Sequence, residues 1–346
     1  MFTGYFGESF DESKIRGNFT LVYELLDEVI DFGYPQTTST DVLKLYINLG
    51  SMKAPVSAGE QRRITSTITG ARDWRREGIL HKKNQVFLDI VENVNLLISS
   101  QGTVLRNDVT GAVLMKSQLS GMPECKLALN DKLQLSADGR DAGRGVELDD
   151  VSFHRCVQLG KFDTERTITF VPPDGDFELM KYRVTHAGGE GAASGINLPF
   201  RVLPVIEESA LRVTVNIKVM SNFSKLLNAN NVVIKIPAPT NTARANITTA
   251  TGRAKYEAES RALVWRIRKF PGSAEASLQA QLELMPSRTR KPWSRPPINV
   301  EFQVPMFTAS GLHVRTLKVF EKSNYPTTKW VRYVTRAAGS TYQIKF

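Results

Sequence analysis

Phe87 and Asp89 stand two residues apart in Lys82-Lys83-Asn84-Gln85-Val86-Phe87-Leu88-Asp89-Ile90. Read as a strand, this stretch points Val86, Leu88 and Ile90 one way and Phe87 and Asp89 the other, because successive strand side chains alternate faces. An aromatic ring beside a carboxylate on one face, just after a dibasic step, is an odd load for a core strand. The plainer reading is an edge strand with one charged outward position, and these nine residues leave both open. Groups that could do catalysis are poorly placed. The histidines His81, His154, His186 and His313 are scattered, without metal-ligand spacing, and no nucleophile elbow or phosphate loop accompanies them. Gly139-Arg140-Asp141-Ala142-Gly143-Arg144-Gly145 is glycine-rich but lacks a strand-to-helix context, so it reads as a hairpin loop. Asp149 and Asp150 are adjacent, hence on opposite strand faces and unable to share a proton. The pattern predicts a chain that is not an enzyme and needs no cofactor or metal.

The elements that must position Phe87 and Asp89 are strands. From Trp74 onward about sixteen strand-like segments follow one another, such as Leu211–Lys218, Leu278–Leu284 and Ile298–Val304, each alternating apolar and polar residues. Pro172-Pro173-Asp174-Gly175, Asn228-Ala229-Asn230-Asn231 and Pro271-Gly272 read as turns between them, and His186–Gly191 as a surface loop. With no helices intervening, the pattern predicts a mainly β chain of sandwich architecture. Before it, residues 11–32 carry Ile15, Phe19, Val22, Leu25, Leu26, Val29 and Ile30 at helical spacing, with Gly33 as the cap and Pro35 as the stop. A shorter helix follows Ser39-Thr40-Asp41. Residues 48–73 lose periodicity and collect glycine, serine and proline, which reads as a linker. Its hydroxyl-rich Thr65–Gly70 is either a polar tether or a phosphorylation site.

At 346 residues the chain can form two or three domains, and its net charge of +10 favours a polyanionic partner, nucleic acid or an acidic membrane. Only two cysteines occur, so no disulfide framework is indicated and the simpler expectation is a reducing compartment. The N-terminus has no signal-peptide pattern, and no apolar run approaches the roughly 20 residues of a membrane span. A soluble, basic, cytosolic chain is expected.

Several motifs then act together. Gly17-Asn18-Phe19, Tyr23–Glu28, Asp31–Gln36, Trp74–Ile79, Phe87-Leu88-Asp89, Ser120–Cys125, Pro172–Met180 and Trp330-Val331-Arg332-Tyr333 resemble the medium (mu) chains of clathrin adaptor complexes across the whole chain. Met115-Lys116-Ser117, Met122–Lys126, Lys291–Pro297 and Leu198–Arg201 favour the plasma-membrane branch of that family. Glu321-Lys322-Ser323 and Arg144–Leu148 look somewhat like the Golgi-endosomal branch, the alternative reading. The resemblance implies an immunoglobulin-like β-sandwich mu homology domain at 74–346, with subdomain A at about 74–195 and 309–346 and subdomain B at about 196–308. Residues 48–73 would be the linker. Residues 1–47 would be the last helices of an α/β longin-like domain whose sheet normally precedes the position of Met1. Implied partners are the large and small subunits of a four-subunit adaptor, cargo-receptor cytosolic tails, phosphatidylinositol bisphosphate membranes and, indirectly, clathrin. The implied location is cytoplasmic, peripheral at the plasma membrane in coated pits.

The family binds tails carrying tyrosine, any two residues, then a bulky hydrophobic residue. Residues i and i+3 of an extended peptide point to opposite faces, so an acceptor strand needs one pocket on each side. By resemblance, Phe87, Trp330 and Arg332 enclose the tyrosine ring, while Asp89, Lys116 and Arg332 surround its hydroxyl. Val86, Leu88, Val314, Leu317, Lys329 and Val331 line the second pocket. Arg253, Lys255, Tyr256, Arg266 and Arg268 correspond to a phosphoinositide patch, and Lys82 and Lys83 to another. Glu257 and Leu80 stand where the family usually has lysine, which weakens each patch. Thr69 matches a phosphorylated linker threonine, although Thr67 replaces the usual glutamine two residues upstream. A nucleic-acid-binding sandwich, the reading from a different class, would need base-stacking aromatics beside its cations. Here Phe87 and Trp330 are matched with Asp89, which would repel phosphate, so no nucleic-acid partner is expected.

Overall fold

In the computed structural model the described residues are 2–7, 10–36, 38–40, 43, 47, 74–76, 78–130, 146, 148–158, 167–185, 195–286 and 293–346. Thr69 with the rest of 48–73, and the glycine-rich stretches at 139–145 and 186–191, lie outside them. The chain divides into two compact units, residues 1–78 and 79–346.

The first unit holds α1 (Phe2–Phe6), α2 (Glu12–Gly17), α3 (Phe19–Val29), β1 (Ile30–Asp31) and β2 (Tyr34–Pro35). The single helix expected over 11–32 is thus two helices and a hairpin strand. Asp11 caps α2 by accepting from the Lys14 amide at 3.0 Å. Asn18 breaks the run: its backbone leaves the helical region at φ −133°, and its side chain donates to the Lys14 carbonyl at 3.1 Å. Gly33 does adopt a positive φ, but not as a helix cap. With Phe32 (φ 47°) and Gly33 (φ 83°) both left-handed, the pair forms the two-residue turn joining β1 to β2. Leu25, Val29 and Leu43 are buried, and Phe2, Tyr5 and Phe6 of α1 pack against them, so part of the apolar stripe is covered by a helix that the periodicity did not reveal. Phe19, Tyr23 and Phe32 remain exposed. Of the second expected helix, the amides of Leu43 and Ile47 make helical bonds to Ser39 and Leu43.

In the second unit the described residues form seventeen strands and no helix. In chain order they are β3 (Gln85–Ile98), β4 (Val104–Gln118), β5 (Glu124–Leu129), β6 (Ser152–Phe153), β7 (Ile168–Phe170), β8 (Gly175–Thr185), β9 (Phe200–Glu208), β10 (Arg212–Ser221) and β11 (Asn228–Pro237). Then come β12 (Thr242–Thr249), β13 (Arg253–Glu257), β14 (Ala262–Pro271), β15 (Glu275–Leu284), β16 (Ile298–Pro305), β17 (Val314–Phe320), β18 (Thr328–Ala337) and β19 (Tyr342–Ile344). The mainly β expectation holds. Val213, Val215 and Ile217, like Ile298, Val300, Phe302 and Val304, are buried as their alternation required, whereas Leu211 is exposed before β10 begins. The asparagine run at 228–231 is not a turn: it opens β11, and Asn231 at φ 49° sits in a bulge there.

One ten-stranded sheet runs β13-β14-β11-β16-β18-β3-β4-β8-β6, with β19 pairing β16 and β3. A four-stranded sheet, β12-β15-β10-β9, covers the β14–β16 region, where Phe200 meets Phe270 and Phe302 at ring separations of 5.3 and 5.0 Å. The third sheet is β17-β5-β7. Two pairings are parallel, β18 with β3 and β19 with β3. No crossover helix is needed, because more than two hundred residues separate the partners. β16 pairs with β18 only from Val334 to Ala337. Thr328–Arg332 therefore have β3 on one side and, among the described residues, no strand on the other.

Candidate functional site

The parallel register decides the site. Trp330 lies opposite Phe87 and Arg332 opposite Asp89; β4 then sets Lys116 opposite Phe87 and Leu114 opposite Asp89; β8 adds Asp176 and Glu178. Directly paired residues share a face, so Trp330, Phe87, Lys116 and Asp176 form one row, and Arg332, Asp89, Leu114 and Glu178 the next. The rows floor a cleft of about 800 Å³ lined by Phe87, Asp89, Lys116, Asp176, Phe177 and Arg332, among others. Asp89 accepts a two-pronged hydrogen bond from Arg332, Nε at 2.7 Å and the terminal nitrogen at 2.5 Å. Those hydrogen bonds, with the Asp89 charge behind them, raise the Arg332 guanidinium above its ordinary value. An exposed pair of this kind adds little to folding; it fixes the guanidinium plane beside the ring row.

Lys116 does not join Asp89: its ammonium turns to Asp176, 3.4 Å away on the next strand. Asp176 and Phe177 were missed in the sequence, although the Pro172–Gly175 turn that launches β8 is what delivers them to this edge. Trp330 is in register with Phe87 but 54% exposed, standing beside the cleft rather than lining it.

On the opposite face, register sets Lys329 beside Val86 and Val331 beside Leu88. Val86 and Leu88 have no exposed surface and Leu317 almost none, while Val314 and Val331 are half-buried and Lys329 is exposed. Val86 and Leu88 are thus closed into the core, and any ligand atom reaching them must part the residues above. Val314 joins this face directly, its amide donating to the Tyr333 hydroxyl at 3.1 Å.

The basic residues fall on two segments. Arg253 pairs with Arg266 across β13 and β14, and alternation sets Lys255 and Arg268 on the same exposed face, opposite buried Trp265 and Ile267. Tyr256 does not share that face: it is paired with Leu263 and half-buried. Glu257 does more than omit a charge. Its carboxylate takes Lys255 at 3.1 Å and Arg266 at 3.3 Å, tying up two of the four cations. Lys82 and Lys83 are exposed just before β3, and their segment is held by His81, whose ring bonds Asp174 at 2.8 Å and whose amide bonds the Ser120 hydroxyl at 2.9 Å. Leu80 beside them is 87% exposed. Asp149 is a structural clamp, accepting from the Thr185 amide at 2.7 Å.

Residues 72–346 match the model of the adaptor complexes medium subunit family. The chain is 51% identical over 361 residues to the AP-2 complex subunit mu of Dictyostelium discoideum, covering 99% of this chain and 80% of that protein. It is 44% identical over 353 residues to the AP-2 complex subunit mu of Caenorhabditis elegans, covering 96% and 78%. Among solved structures, the yeast delta-COP-I mu-homology domain superposes with a TM-score of 0.53 at 14% identity, covering 77% of this chain and all of that one. At that identity the likeness is one of fold.

Proposed function

The chain belongs to the adaptor complexes medium subunit family, and from that premise we propose that it is the cargo-recognition subunit of a clathrin adaptor in endocytosis, binding Tyr-x-x-hydrophobic tails. The reading is non-enzymatic. What supports it most is the β18–β3 register, which sets Trp330 and Arg332 against Phe87 and Asp89 on one face and Lys329 and Val331 against Val86 and Leu88 on the other. Among the described residues no strand pairs with the open side of Thr328–Arg332, so an extended peptide can add there as a strand. Its tyrosine then lies over the Phe87 row with the hydroxyl at the Asp89–Arg332 pair, and the residue three places on falls to the Val331 side. Val314 and Leu317 wall that second pocket.

The same proposal gives the β13–β14 cations and Lys82-Lys83 a phosphoinositide surface at the plasma membrane, and the chain large and small adaptor subunits as partners. In it, residues 74–195 with 309–346 form the cargo-binding subdomain and 196–308 the other. The four-stranded sheet is drawn wholly from 196–308, which is consistent with that division.

Calorimetry with three otherwise identical peptides tests the cargo site. The tyrosine peptide should bind, phenylalanine should cost about tenfold or more because the charged pair loses a partner, and phosphotyrosine should fail against Asp89 and Asp176. Equal binding of the phosphorylated peptide would sink the reading.

A further inference from the structure

Along the inward face of β3, the run Val86, Leu88, Ile90, Val94 and Leu96 is interrupted by Glu92, which has no exposed surface. Five donors from distant parts of the chain meet its carboxylate, the longest bond being from the Thr335 hydroxyl to Oε2 at 3.5 Å. The Tyr182 hydroxyl at 2.8 Å and the Ser310 hydroxyl donate to Oε1, and the amides of Ala309 and Ser310 donate to Oε2 at 2.6 and 3.2 Å. Among the described residues no lysine or arginine pairs with it. Register aligns Thr335, Glu92, Gly111 and Tyr182 across four adjacent strands. Gly111 is what lets Tyr182 cross β4 to reach the carboxylate, since a Cβ there would run into the phenol ring. A buried carboxylate is tolerated only while its lone pairs are met, so Ala309 and Ser310 cannot leave without stranding it.

What Glu92 holds in this way is the entry to β17. The Ser310 oxygen also accepts from the Leu312 amide at 3.0 Å. The next amide, His313, donates to the Asn130 side chain at 2.7 Å, and the Val314 amide to the Tyr333 hydroxyl at 3.1 Å. Tyr333 shares its face of β18 with Lys329 and Val331. Successive anchored amides therefore lead from the carboxylate to Val314, where β17 begins and where the cargo reading puts the wall of its apolar pocket.

We propose that Glu92 is a positioning residue for the apolar cargo pocket, fixing the Val314–Leu317 wall through Ser310 and so the size of hydrophobic residue accepted. The proposal rests on the cargo reading above. Amide hydrogen exchange gives a readout that needs no peptide. Glu92→Gln puts an NH2 group against donors, so the Leu312, His313 and Val314 amides should exchange at least about tenfold faster while those of β10 do not change. Calorimetry gives the second readout. Between peptides ending in leucine and in phenylalanine, the affinity ratio should shift at least about threefold in Glu92→Gln and in Ser310→Ala. The tyrosine-to-phenylalanine ratio at the first position should stay within about twofold. Should Glu92→Gln not fold, Ser310→Ala, which deletes one hydroxyl, carries both measurements. A variant that merely lost stability would weaken every peptide by one factor, and unchanged ratios or unchanged exchange overturn the positioning role alone. Wild-type protein that binds none of the peptides overturns the cargo reading, and this role with it.

Discussion

Glu257 shows how one side chain can reset a surface. It stands within ion-pair distance of both Lys255 and Arg266, so the β13–β14 face offers an anion fewer free charges than its composition implies. At about 1 kcal/mol per charge near an acidic leaflet, Glu257→Gln should tighten binding to phosphoinositide vesicles about fivefold and Glu257→Lys about thirtyfold. Flotation over a salt series measures this, and identical curves for all three proteins would mean that the face does not meet the membrane. Legibility differed from residue to residue. Alternation alone placed Phe87 and Asp89 on one face, but the bond from Arg332 to Asp89 spans 243 positions and came only with the family resemblance. Glu92 was within reach and missed: a carboxylate at an inward position of an apolar run was the signal. No sequence pattern could show Lys116 turning to Asp176, because that depends on β4 and β8 being neighbours.

Among elements, β18 matters most, because half of it is zipped between neighbours and half is not. If a tail adds to the open half, its backbone must alternate between amides that face β18 and amides that face solvent. Methylating the nitrogen of successive motif residues, one peptide at a time, should give alternating results: at least about tenfold weaker binding at the inward positions and little change at the outward ones. Uniform tolerance would refute strand addition while leaving the pockets untouched. Periodicity read the strands well, since half-buried strands carry a clean two-residue alternation. It read the amino-terminal helices less well. Apolar spacing continues smoothly through Asn18, and the broken backbone there and the Phe32-Gly33 turn are set by local hydrogen bonding rather than by where apolar residues fall.

The whole molecule carries a pH dependence that Asp89 and Arg332 do not set. His154, half-buried against the Phe177 ring, is held below its ordinary value by burial and by Arg155, and the Cys156 amide donates to its Nδ1 at 3.2 Å. Unfolded, it takes a proton near pH 6.5, which the folded protein refuses, so stability is lost as pH falls through that range. Thermal melts should show the midpoint dropping between pH 7.5 and 5.5, with the drop smaller in His154→Gln; parallel curves would rule the residue out. Asp108 acts lower on the scale. Burial would raise it, but hydrogen bonds from Arg106 and Asn95 and the nearby charge of Arg183 bring it below the usual range. Its contribution is present above about pH 4 and lost beneath that value. The ten-stranded sheet has a consequence of another kind. The β13 face and the open half of β18 belong to one hydrogen-bonded surface, four strand steps apart, or roughly 20 Å at 4.8 Å per step. On the proposed reading, a headgroup held at one end leaves the other end searching a small volume just above the leaflet in which cargo tails are themselves rooted. Capture of the second ligand is then governed by an effective concentration instead of a bulk one. Two weak contacts at a fixed separation can hold a membrane some 10² to 10⁴ times more firmly than either alone.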